Sequence, residues 1–249
     1  LDKLYDLFKD APILGSLINP SQIKSSLFSS GYDSVTQLLK DALKNENNDT
    51  KHEIGIAAHG LVKAAGLLGE KYKWVITNVP YLGRGNQCET LQTFCNKYYP
   101  TSKSDLATVF LDRCLDFSSE GATSSIVLPQ NWLFLTSYKK FREKLLKNEQ
   151  WNSIARLGPG AFETITGEVV KAVLITLSKG SITVKGGLVG DISTQLFRGV
   201  DVSEFKTPLD KAEHLITNDI KSVDQVKQLD NPDARISLDP PYYGKVLGD

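Results

Sequence analysis

The sequence predicts an α/β fold, on two observations. Short apolar runs of strand length alternate with longer runs whose apolar residues recur at helical spacing, and the strand runs stop abruptly at turns containing Pro, Gly or Asn. With 249 residues, 41% of them hydrophobic and 23% charged, the chain has room for one large domain or one domain plus a small appendage. Lys+Arg and Asp+Glu both total 29, so the formal net charge is zero. Free-standing nucleic-acid binders are usually basic, so neutrality counts against that class without excluding a local basic groove.

Taken in order, residues 1–14 read as a helix, with Leu4, Leu7 and Phe8 on one face and Pro12 near its end. GSLI (Gly15–Ile18) reads as a short buried strand. Residues 20–70 read as helical, interrupted by a polar loop at Asn45–Asp49, and Ile54–Leu68 is a well-patterned amphipathic helix in which His59 is a surface or packing residue. The rhythm then changes. WVIT (Trp74–Thr77) is a strand that stops at NVPY, Ser104–Phe117 is a helix, and SSIVL (Ser124–Leu128) is a buried strand ended by Pro129. Tyr138–Leu146 is a helix, and Ser153–Leu157 and Val169–Leu177 are strands flanking the Gly-rich loop GPGAFETITGE. Residues 180–200 read as a hairpin and 208–229 as a charged helix or helix pair. ARISL, near the end, is strand-like.

Three cysteines, Cys88, Cys95 and Cys114, form no CxxC pair, and with three histidines they give no zinc signature; no metal site is expected. An odd, small cysteine count fits a reducing cytoplasm. No apolar run is long enough to span a bilayer, and no signal peptide opens the chain. The chain starts at Leu1 and contains no Met, which suggests a piece of a longer polypeptide.

NVPY carries a specific chemistry. The lone pair of adenine's exocyclic amine is conjugated into the ring, so the nitrogen is a poor nucleophile. Two acceptors on its hydrogens favour a pyramidal nitrogen and free the lone pair to attack a methyl sulfonium. Asn78 Oδ1 and the Val79 carbonyl supply two such acceptors, Pro80 stiffens the turn, and Tyr81 offers a face for stacking an extruded base. Direct transfer needs no covalent intermediate; positioning and charge stabilisation do the work. A strand end is the right place, because ligands of open α/β sheets bind beyond the carboxyl ends of the strands. Taken alone, NVPY also reads as a plain strand-ending turn.

VITNVPYLGRG (75–85), KSDLATVFLDRCL (103–115), SIVLPQNWLFLTSYKKFREKLL (125–146) and LGPGAFETITGEVVKAVLITL (157–177) occur in an order and spacing that resembles the gamma-class, TaqI-like N6-adenine DNA methyltransferases. They are most similar to the methylase polypeptides of type IIG restriction–modification and BREX (PglX-like) phage-defence systems. The resemblance implies part of a Rossmann-like, S-adenosylmethionine-dependent methyltransferase sheet. Residues 1–73 would form a helical insertion and sheet edge, 74–180 the catalytic half, and 181–249 an extension toward a target-recognition domain. It implies that Asn78, Val79, Pro80 and Tyr81 are the catalytic N-P-P-Y motif with Val at its second position. Phe110 would pack on the adenine of S-adenosyl-L-methionine, or else be an ordinary core residue. Phe162 would help hold the flipped base, Trp132 would line the pocket rim or sit in the core, and Arg84 would reach DNA beside the base. Lys139, Lys140, Arg142 and Lys144 would face phosphates or form a solvated helix face. Ser16 stands where the family places an acidic residue facing the cofactor. The family's Gly-rich cofactor loop is expected upstream of Leu1, so this stretch alone is expected to bind the cofactor weakly or not at all.

DPPYY (Asp239–Tyr243) is a second candidate motif of the same chemistry, or a turn opening the specificity region. Three functional classes remain open: a site-specific DNA adenine-N6 methyltransferase acting on double-stranded DNA with defence-system subunits as partners, a protein-glutamine or RNA N-methyltransferase, and a non-catalytic DNA-binding or assembly module.

Overall fold

A computed structural model describes residues 6, 8–22, 49–161, 170–180 and 195–239. The chain divides into two compact units, Leu1–Lys71 with Cys88–Leu91, and Tyr72–Gln87 with Gln92–Asp249.

In the first unit, α1 (Ala11–Leu14) runs directly into a 3-10 turn at Gly15–Leu17, and α2 spans Asp49–Gly69. The strand expected at Gly15–Ile18 is therefore a tight helical turn. Gly15 takes a left-handed φ of 50°, and Leu17 and Ile18 are both buried. Adjacent buried residues in a 3-10 turn mimic the continuous apolar run of a buried strand. The helix expected at Ile54–Leu68 lies inside α2, which buries Val62 and Ala65. Much of the helical stretch expected at 20–70 lies outside the described residues.

The second unit holds a mixed six-stranded sheet: β1 (Tyr72–Asn78), β2 (Ser118–Pro129), β3 (Gln150–Gly158), β4 (Ala172–Ser178), β5 (Leu196–Asp201) and β6 (Lys221–Asp224), in the order β1-β2-β4-β3-β5-β6. β1 and β2 are parallel, β4 is antiparallel to both β2 and β3, β5 runs parallel to β3, and β6 is antiparallel to β5. Four strands, β1, β2, β3 and β5, thus point the same way, and their carboxyl ends share one edge. The α/β class expected from the alternation is the class observed.

Helices α3 (Glu89–Tyr98), α4 (Leu106–Phe117), α5 (Lys139–Asn148) and α6 (Pro208–Thr217) follow from local chemistry. Asp105 caps α4, its carboxylate accepting the Ala107 amide at 2.8 Å. Thr207 caps α6, followed by Pro208 at the first position, where its missing N–H is harmless. β2 alternates, burying Ala122, Ser124, Ile126 and Leu128 and showing the residues between them at least partly to solvent. The core joins these residues to Leu111 and Leu115 of α4, Phe141 and Leu145 of α5, and a row of rings, Phe141–Trp132–Trp151–Phe197, spaced 5.8–6.0 Å apart.

Three further expectations change. Residues 196–201 form a strand, but it pairs with β3 and β6, and most of the supposed hairpin at 180–200 lies outside the described residues. The stretch 208–229 is one helix, a short edge strand and a 3-10 turn, since Asn218 ends α6 and Val223 points inward from β6. ARISL is no strand: after a 3-10 turn at Pro232–Ala234 it lies outside the sheet, burying Ala234, Ile236 and Leu238 in the core.

Glu149 closes α5 from a buried position. Burial pushes its carboxyl above the ordinary range, opposed by the hydrogen bond it accepts from the Gly180 amide at 2.8 Å. The folded state therefore holds this proton more tightly than the unfolded chain. Its contribution is complete at low pH and is lost as pH rises through the folded value. Glu149→Gln keeps an acceptor for Gly180 and is expected to flatten the loss of thermal stability between acid and neutral pH. An unchanged stability–pH slope would contradict this.

Candidate active site at the carboxyl edge of the sheet

The segments singled out in the sequence leave the sheet at the same edge. Asn78 ends β1 opposite Val127 of β2, and Pro129 of β2 and Gly158 of β3 both pair with Ala172 across the reversed strand β4. The loops that begin NVPY, PQNW and GPGAF therefore open side by side.

Asn78 is solvent-exposed, and among the described residues its side-chain amide makes no hydrogen bond within the chain. Val79 turns into the core, which fixes the peptide following Asn78, and Pro80 is exposed. Tyr81 is half-buried, its ring packed against the core and its hydroxyl enclosed without a hydrogen-bond partner among the described residues. Burial, and then the nearby Asp105 carboxylate, push its phenol up to about 12. The phenol keeps its proton far above neutrality. The stability linked to that proton is complete below the ordinary value of 10.0 and is lost as pH rises through the folded value. Tyr81→Phe is thus expected to fold normally and to remove that alkaline loss, whereas Tyr81→Ala removes the ring as well. A marked loss of stability at neutral pH in the Phe variant would show that the hydroxyl has a partner.

Asp105 is the residue that sequence reasoning missed. Besides capping α4, its Oδ1 accepts the Leu82 amide at 3.3 Å, and two main-chain bonds, Leu106 N to Leu82 O and Arg84 N to Ser104 O, each 3.0 Å, join the same segments. Gln87 adds a bond from its side-chain amide to Leu82 O at 3.0 Å. The chain after NVPY is thereby stapled to the start of α4, the helix that carries Phe110 one and a half turns further on. An acidic residue ahead of the apolar run LATVFL was a readable helix-start signal; its second bond, across 23 residues, was not.

Phe110 is half-buried, part of its ring on the core and part at the surface. Arg84 lies in a 3-10 turn with one guanidinium nitrogen enclosed and without a hydrogen-bond partner among the described residues. Trp132 is almost fully buried in the aromatic row, yet it also forms part of the wall of a cavity of about 330 Å³. Asp105, Thr108, Pro129, Asn131 and Tyr138 contribute to the same wall. Trp132 is thus a core residue that also borders a cavity. Phe162 lies outside the described residues. Among the four cations of α5 singled out in the sequence, Lys139 and Lys140 are exposed and Lys144 pairs with Asp112 at 2.6 Å. Arg142 is fully buried, which corrects its placement on a solvated or phosphate-facing surface. Asp239 is a surface residue whose carboxyl is held below the ordinary range by its hydrogen bond to, and the charge of, Lys221 at 2.5 Å; the rest of DPPYY lies outside the described residues.

A protein-family model described as Eco57I restriction-modification methylase matches residues 9–162, more than half of the chain and every part of the edge from β1 to β3. The chain belongs to the Eco57I methylase family. Relatives include the adenine-specific methyltransferase PglX of Lacticaseibacillus casei (strain Zhang), 38% identical over 121 residues that cover 48% of this chain and 10% of that protein. The adenine-specific methyltransferase BrxX of Escherichia coli O9:H4 (strain HS) is 32% identical over 165 residues, 66% of this chain and 13% of that protein. The chain thus spans about a tenth of the length of these curated relatives. Among solved structures, the type I methyltransferase subunit from Streptococcus thermophilus is similar over 66% of this chain and 37% of its own, at 15% identity and a TM-score of 0.47. Within the Eco57I methylase family match lie NVPY, Asp105, Phe110 and the loop after β2. No helix among the described residues is long and apolar enough to cross a membrane.

Proposed function

We propose that this chain carries the target-base half of a site-specific DNA adenine-N6 methyltransferase. The observation that carries the reading is the geometry at the end of β1. An exposed amide with no internal partner, Asn78, stands next to a carbonyl whose residue, Val79, is locked in the core. In this role Asn78 Oδ1 and the Val79 carbonyl accept the two amino hydrogens of the base, and Tyr81 lies against its ring. The cavity walled by Asp105, Asn131 and Trp132 adjoins the same edge and exceeds the volume of a nucleobase. The part of the Phe110 ring left at the surface fits stacking on an adenine, as S-adenosyl-L-methionine requires, and that cofactor supplies the electrophilic methyl group when bound. Residues 74–180 form the catalytic half in this reading, 1–73 the helical insertion and sheet edge, and 181–249 lead toward the part that reads the DNA sequence. Phe162 joins the base pocket and Arg84 the DNA backbone beside it. The double-stranded DNA substrate and the setting in restriction–modification or BREX phage defence are supported by the family and by its relatives PglX and BrxX, both adenine-specific methyltransferases.

Long-read sequencing of DNA from cells with and without the gene tests this directly. The expected result is N6-methyladenine at one sequence motif only when the gene is present. Identical modification in both cells rejects the proposal, and methyl label in protein or RNA instead would move the same chemistry to another substrate. Asp239→Ala, which removes only a surface ion pair, is expected to leave the methylated motif unchanged. Its loss would make DPPYY the site.

A further inference from the structure

Arg142 is a fully buried cation whose three nitrogens each donate to main-chain carbonyls, from two separate stretches of chain. Nη1 donates to Leu135 O at 2.9 Å and also to Trp132 O, in the segment after β2. Nε donates to Ala234 O at 3.0 Å and Nη2 to Asp233 O at 2.8 Å. Those two residues sit in left-handed backbone, φ 57° and 51°, which residues other than glycine avoid unless their surroundings enforce it. The same two stretches are joined again by Ile236 N to Leu133 O at 3.1 Å and Thr136 Oγ1 to Asp233 Oδ2 at 3.0 Å. The outer side of the clamped segment, at Asn131, Trp132 and Leu135, is cavity wall.

We propose that Arg142 is a positioning residue for the target-base cavity: its guanidinium, shared between the loop after β2 and the strained Asp233–Ala234 turn, fixes the wall that faces the base. This rests on the function proposed above. A planar fork of five donors can serve carbonyls on two sides at fixed angles, whereas a lysine ammonium is a point charge with three. The strained turn gives the clamp its sense. Without the guanidinium, nothing draws both carbonyls inward, the turn relaxes toward ordinary backbone, and the loop it holds shifts with it.

The test uses the full natural polypeptide and DNA with 2-aminopurine at the target adenine, whose fluorescence rises when the base leaves the stack. Arg142→Lys is expected to lower kcat by roughly 100-fold per folded molecule, the scale of an ångström-size misplacement. The KM for S-adenosylmethionine should stay the same and the extrusion signal should fall. Asp233→Val keeps the buried charge but forbids the left-handed turn, so it gives the same split if Arg142→Lys fails to fold. Adding Ala234→Gly to Arg142→Lys, which relieves the strain, should recover part of kcat. If either folded variant keeps kcat and the extrusion signal within about twofold, a change smaller than any such displacement, the proposal is overturned. Should the unaltered protein methylate no DNA, the proposed function fails separately. The clamp is then read by hydrogen exchange at the Phe134 and Leu135 amides, expected to speed up about tenfold in Arg142→Lys as the loop opens locally, and unchanged exchange would overturn it.

Discussion

Asn78→Ala is expected to remove methyl transfer without disturbing the fold. The side chain is exposed, ends a strand, and makes no hydrogen bond within the described chain, so its truncation leaves no cavity and no stranded partner. In the proposed reading it removes one of two acceptors on the amine. Losing one preorganised hydrogen-bonding group at a reacting centre costs about 10²–10³ in kcat. The residual Val79 carbonyl cannot pyramidalise the nitrogen alone, so the loss should lie at or beyond the upper end of that range. Asn78→Asp keeps an acceptor oxygen and should retain more activity than the Ala variant. The measurement is incorporation of labelled methyl into DNA by the full natural polypeptide, with thermal melting and DNA binding followed in parallel. An Ala variant that methylates at a rate near that of the unaltered protein would remove Asn78 from the chemistry.

What the sequence let one read, and what it hid, divides along the range of the interactions involved. β1 and NVPY were legible because a strand stopping at Asn-Val-Pro is a local pattern. α4 was legible as a whole, expected at Ser104–Phe117 and observed at Leu106–Phe117. The α/β class followed from alternation alone. Long-range partners were not legible. Arg142 lies among Lys139, Lys140 and Lys144 on a helix whose pattern does not say which cation turns inward, and the carbonyls that accept it stand about ninety residues downstream. β6 was absorbed into a helix because four residues, KSVD, carry one inward side chain and no period to count. Gly15–Ile18 misled in the opposite direction, since two adjacent buried residues look alike in a strand and in a tight turn. Trp132 was left between core and pocket because one large ring can serve both, and only its placement at the cavity wall tells which parts do which.

Lys211→Met carries the second large expected effect, on stability. Lys211 lies on α6 and is 3% exposed. Its ammonium donates to Leu157 O at 2.6 Å, Val202 O at 3.1 Å and Phe205 O, so all three N–H groups are matched to carbonyls. Burying a lone cation is costly, and replacing a buried ion pair by apolar residues is often harmless because both partners leave together. Here the partners are main-chain carbonyls that no substitution can remove. Met fills the volume of the stem but strands Leu157 O and Phe205 O, at about 1–3 kcal/mol for each buried acceptor left unsatisfied, while Val202 O keeps the Phe205 amide at 3.3 Å. The chain around them has little room to admit water. A Cβ on Gly158 would stand 2.6 Å from the Cβ of Ser203, and one on Gly160 would stand 2.6 Å from Lys206 O, so the end of β3 is pressed onto the 202–206 turn that Lys211 gathers. Against a total stability of about 5–15 kcal/mol, a loss of about 2–6 kcal/mol is large. At roughly 2–4 °C per kcal/mol for a domain of this size, the melting point should fall by about 10–20 °C. Thermal melting of the variant checks it, and an unchanged melting temperature would mean that the Leu157 and Phe205 carbonyls find other donors. In the proposed reading the consequence reaches the base pocket, because Gly158 and Gly160 set the direction in which the chain leaves β3, two residues before Phe162 in the sequence. A variant that still folds at low temperature should lose affinity for an extruded base before it loses the sheet.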